Sequence, residues 1–93
     1  MSDDEKALII GRAMQEDSTA RQELALAEAN ARFMGLALGM VALRLKGGGE
    51  ELPTEEMIAE MPTADRVRAV IAEINQARSR AEEAHQHRQK LGV

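Results

Sequence analysis

The only two histidines, His85 and His87, stand two residues apart in the run Glu82-Glu83-Ala84-His85-Gln86-His87. Imidazole is the commonest metal ligand and general base, so this is where chemistry would first be sought. Residues two apart on a helix point about 200° away from each other and cannot share one ion within a chain. Glu83 and His87, four apart, do share a face. Two ligands fall short of a zinc site unless a second chain contributes, so a solvated face and no metal are expected.

Nucleophilic chemistry has no better footing. Ser2, Ser18 and Ser79 lie at a terminus or within helical sequence, with no histidine and acid placed to activate them. Adjacent carboxylates such as Glu82-Glu83 lack the apolar pocket that sets two acids apart in pKa. Gly47-Gly48-Gly49 is followed by acids and a proline, not by the Lys-Ser/Thr helix start of a phosphate loop. The expectation is a protein that is not an enzyme and takes no cofactor.

The elements that would carry any site are helical. The chain has 93 residues, one aromatic (Phe33), and neither Trp, Tyr nor Cys. Its apolar content is Ala, Leu, Ile, Val and Met, which suits helices rather than strands. Absence of cysteine removes disulfides and thiolate chemistry and points to a reducing, cytoplasmic setting. The start, MSDDEK, is acidic where an export signal needs a basic start, so no export is expected.

Ser2, with Glu5 three residues on, is a capping-box signal that starts a helix at about Asp3. No proline precedes Pro53, and Arg44 and Lys46 precede the three glycines, so one helix over about 3–46 is expected. Thr19 and Gln22 offer a second capping signal that would break it near Asp17. The glycines and an acidic connector occupy 47–53. Thr54 caps a short helix over about 54–61, Pro62 ends it, and Thr63 caps a last helix over about 63–90, with Gly92 beyond.

Two apolar stripes run along the first helix. Ile10, Asp17, Leu24, Ala31, Leu38 and Leu45 repeat every seven residues, with Ala13, Ala20, Ala27, Met34 and Val41 three residues after each of the first five; Asp17 is the only interruption. Leu26, Ala29, Phe33, Leu36, Met40 and Leu43 lie on nearly the opposite side, flanked by Gly35 and Gly39. The last helix has one apolar face, built from Val67, Val70, Ile71, Ile74, Ala77, Ala81 and Ala84. Antiparallel pairing of residues 24 to 45 with about 67 to 88 would bury the first stripe and leave the Phe33 stripe open.

The fold expected is therefore all-α: a long antiparallel helical hairpin with a short middle helix, dimerising through the first helix into a four-helix bundle. Phe33, Gly35, Leu36, Gly39, Met40 and Leu43 are the expected dimer interface. A different protein on the same face, or a monomeric bundle with the first helix broken near Asp17, are the alternatives. The uncharged run Phe33–Leu43 is eleven residues, about 16 Å as a helix against a hydrocarbon core of about 30 Å, so no membrane crossing is expected.

Net charge is −4, and the acids concentrate at the connector: residues 50 to 62 hold five acids and no base. Glu50, Glu51, Glu55 and Glu56 surround Met57, Ile58 and Met61, a short amphipathic element. Either its apolar side closes the open end of the hairpin, or it docks on a protein partner whose basic surface the acids would steer toward. A nucleic-acid partner is disfavoured, because base-stacking aromatics and a strong basic patch are both missing. Arg66, Arg68, Arg78, Arg80 and Arg88 are its only candidates. The function expected is non-catalytic protein binding, a regulator or inhibitor acting as a helical homodimer. A purely structural self-assembly subunit is the alternative, and after it a nucleic-acid-binding helical protein or one whose acidic rim mimics nucleic-acid phosphate.

Overall fold

The computed structural model describes residues 2–47 and 51–93. Three helices follow in order: α1 (Asp3–Gly47), α2 (Glu55–Ala59) and α3 (Ala64–Leu91). Each starts on a hydroxyl cap: Ser2 Oγ accepts from the Glu5 N–H, Thr54 Oγ1 from Met57 and Thr63 Oγ1 from Arg66, each at 3.2 Å. α3 ends at Gly92, whose φ of 76° is the left-handed conformation that a Cβ disfavours.

α1 does not break at Asp17-Ser18-Thr19. It runs 45 residues and includes Gly47, so the first glycine of the triplet closes the helix rather than opening the turn. Gly48 and Gly49 lie outside the described residues. α3 folds back along α1, and α2 packs against α1. The result is a rod of 71 × 20 × 18 Å with a radius of gyration of 20.5 Å, against about 12 Å for a compact chain of this length.

The interface between the long helices is a seam of small side chains. Ala13, Ala20 and Ala27 from α1 and Ala77 and Ala84 from α3 are buried; Val41 is the only larger apolar side chain that joins them. Alanines at facing positions let helix axes approach toward the short end of the usual 8–10 Å range. On α3 the residues that are not exposed are Val67, Val70, Ile74, Ala77, Ala81, Ala84, Arg88 and Leu91. Their spacing alternates three and four without a break, the signature of a two-helix seam. Ile71 falls one place off that series and is 53% exposed, contrary to its expected place on the inner face.

The pairing also differs from expectation by one heptad. Asp17, not a residue near Leu24, lies opposite Arg88, and Glu23 lies opposite Arg80. A slip of seven residues keeps every apolar position facing another, so the apolar pattern alone cannot choose between the two. The charged side chains do choose. Asp17 and Arg88 are the two charged residues on the opposing seams, and placing them together avoids leaving either unpaired in the interface. In this register α3 reaches further along α1, so the N-terminal overhang is shorter than a pairing of 24 to 45 with 67 to 88 would leave. Leu8 and Met14 remain exposed on or near it.

Candidate functional site

Three regions bear on function: the Asp17 cluster, the connector with α2, and the outer face of α1. Asp17 is 3% exposed, the only buried polar or charged residue among those described. Its Oδ2 accepts from Arg88 Nη1 across the interface at 2.7 Å and from Arg21 Nη2 one turn along α1. The hydrogen bond from Arg88 holds the Asp17 carboxyl below its ordinary range; burial opposes this, and the charges of Arg21, Arg88 and His85 reinforce it. The cluster is a structural lock, since two guanidinium groups already occupy the one oxygen a ligand would compete for.

The histidines lie on the flank of the same end. His87 Nδ1 approaches Glu16 Oε2 of α1 at 3.7 Å. Glu16, Glu83 and His87 border one shallow groove. Among the described residues no group of three or more His, Asp or Glu side chains is arranged to hold a metal ion.

At the other end, Met57 and Met61 are half-buried, while Ile58 and Leu52 remain exposed at 47% and 58%. Glu51, Glu55 and Glu56 face solvent, and Glu50 lies outside the described residues. The short helix thus turns its two methionines inward and keeps its acids and Ile58 outward. It packs on α1 at the connected end of the hairpin, not the open one, and keeps an acidic surface.

The outer face of α1 is the largest anomaly. Leu26, Phe33, Leu36, Met40 and Leu43 are between 56% and 72% exposed, so the sole aromatic and several of the largest apolar side chains point away from the core. Arg32, Gly35, Leu36, Gly39, Met40 and Leu43 line a shallow groove of about 520 Å³ on this face. A Cβ built on Gly35 or Gly39 would meet nothing within 4 Å. Nothing inside the chain therefore requires glycine there, although each costs an isolated helix about 1 kcal/mol relative to Ala.

Five of the six expected interface residues border this groove; Phe33 instead borders a separate groove on the α3 flank, with Met34, Pro62, Arg66 and Val70. The connector residues are separate from them in sequence and belong to the α2 end. What sequence reasoning missed is the Asp17–Arg88 pair. The available signal was one charged residue, of opposite sign, on each otherwise apolar seam.

α1 also contains an 18-residue window of mean hydropathy 1.3, 11% of it buried, so by length and composition it suffices to cross a membrane. The eleven-residue uncharged run alone had suggested otherwise. Against a crossing stands α3, which lies along this part of α1 and carries exposed Arg66 and Glu73 beside it; immersion would place those charges in hydrocarbon. No family model, no curated protein and no solved structure matches this chain.

Proposed function

We propose that this protein is a non-catalytic, protein-binding accessory hairpin that works as a homodimer, with the outer face of α1 as its self-association surface and the acidic α2 end as the part that docks on another protein. One observation carries the reading. Among the described residues the fully buried apolar side chains are five alanines and a valine, while Phe33, Leu36, Met40 and Leu43 stand outside. Such an arrangement leaves most of the available hydrophobic stabilisation unused until a second surface covers α1. The glycines flanking that face fit the same reading, because a close neighbouring helix offsets their cost.

The docking role of the α2 end rests on its chemistry: exposed carboxylates around an exposed Ile58 suit a basic, partly apolar protein surface. A regulator or inhibitor in the cytoplasm is the corresponding role. The test is a capture experiment with wild type and with Glu51→Lys/Glu55→Lys/Glu56→Lys. Loss of a specific captured protein with unchanged oligomer mass supports docking through the acids. Equal capture by both, or growth beyond a dimer with rising concentration, favours the purely structural subunit.

A further inference from the structure

Resting on the homodimer reading, we infer that two copies pair antiparallel along the outer face of α1, about a two-fold axis that passes between Met34 and Gly35. The outer stripe is itself a heptad: Leu26, Phe33 and Met40 repeat every seven residues, and Ala29, Leu36 and Leu43 follow each by three. The stripe is also bounded. Continued toward the N-terminus, the same positions hold Gln22, Thr19, Gln15 and Arg12, all exposed and polar. Toward the C-terminus the next position is Gly47, the last helical residue. The sticky segment is therefore limited to about five turns, and only one antiparallel alignment overlaps all of it.

In that alignment each large side chain finds a partner that fits. Leu26 faces Leu43 of the second copy, Phe33 faces Leu36, and Met40 faces Ala29, so a long side chain lies over a small one. This makes six layers; sliding by a heptad in either direction leaves four. Parallel pairing would instead stack Ala29 on Ala29 and Phe33 on Phe33, a gap beside an overfilled layer.

Charge points the same way. Arg32, Arg44 and Lys46 lie along the segment, and parallel pairing would set each level with its own copy, three like-charge encounters. Antiparallel pairing sets none of the three level with its own copy, and it opposes the two helix dipoles. Gly39 then lies beside Arg32 of the second copy, which needs room to pass along the neighbouring helix. The uncovered apolar side-chain area is roughly 500 Å² per copy, so a pair would bury about 1,000 Å², the lower bound for a specific interface. α3 sits on the far side of α1, so the assembly is a layer of four helices ordered α3, α1, α1, α3.

The chain has no cysteine, so single cysteines report orientation without background. Ala29→Cys and Met40→Cys are made separately, oxidised mildly alone and as an equal mixture, and the reduced forms are weighed in solution. The inferred geometry gives a disulfide-linked dimer in the mixture and little from either variant alone. Self-linked Ala29→Cys or Met40→Cys would mean parallel pairing and would overturn it. A dimeric mass with no disulfide in any sample would overturn the register while leaving the homodimer reading intact. A monomeric mass, with or without binding to lipid vesicles, would overturn both, since the face would then belong to another occupant.

Discussion

The two long faces of α1 contrast in side-chain size. At the inner seam, which α3 covers, the fully buried apolar side chains are alanines, such as Ala13 at 1%, and Val41, while Leu24, Met34, Leu38, Val70 and Ile74 are only half-buried. The outer stripe, which nothing in the chain covers, is made of Leu, Phe and Met. In a self-sufficient monomer the larger side chains would be inside, because burial stabilises roughly in proportion to area. The alanine seam gains close approach, and its specificity comes from one ion pair. The outer stripe gains area, and its specificity would have to come from a partner.

Substitutions on each face should therefore fail in different ways. The largest effect is expected from Leu36→Glu, which buries a carboxylate opposite Phe33 of the second copy in both central layers of the outer stripe. It should convert a dimer to a monomer at every accessible concentration while circular dichroism still reports helix. Gly39→Leu should come next, weakening association about tenfold or more, some 1.4 kcal/mol, through crowding at the flank. An unchanged mass and melting curve would mean that this flank faces solvent.

Ala77→Leu tests the other face. Ala77 is 1% exposed against α1, and overfilling such a site costs about 1–3 kcal/mol. The melting temperature should fall, with the dimer retained at temperatures below the transition.

Asp17→Asn keeps the shape and removes the charge; at neutral pH it leaves Arg88 without its counter-charge in the seam and should lower the melting temperature. Its value lies in acid. Because Arg88 holds the folded Asp17 carboxyl below its ordinary range, the unfolded chain takes up the proton first as pH falls. The stabilisation is present above the unfolded value of about 4 and is lost as pH drops through the lower folded one. Wild type should thus lose stability below about pH 4 more steeply than Asp17→Asn; parallel acid curves would remove the lock.

Much of this contrast was legible in the sequence, and for a physical reason. Helical class, the hairpin and the existence of two stripes on α1 follow from composition, caps and a seven-residue period, all of which are local. The register is not local. A heptad slip preserves every apolar match, so Ile10 to Leu45 and Val67 to Ala84 could be aligned two ways. Asp17 read as a flaw in the seam because its partner is 71 residues away, and Arg88 read as one cation among six in the C-terminal third. Ile71 belongs to the broad apolar stripe of α3 but falls outside the narrow strip that two close helices cover. Gly47 stays helical because only the sequence beyond it demands a turn.

The central claim is that the outer face of α1 is an interface rather than a solvent-exposed surface. Light scattering coupled to size exclusion, run over a hundredfold range of concentration on the wild-type chain, tests it most directly. The account predicts a mass of twice 10.2 kDa that holds across the upper part of that range. A mass of one chain throughout would contradict self-association, and the Phe33 face would then belong to a different molecule.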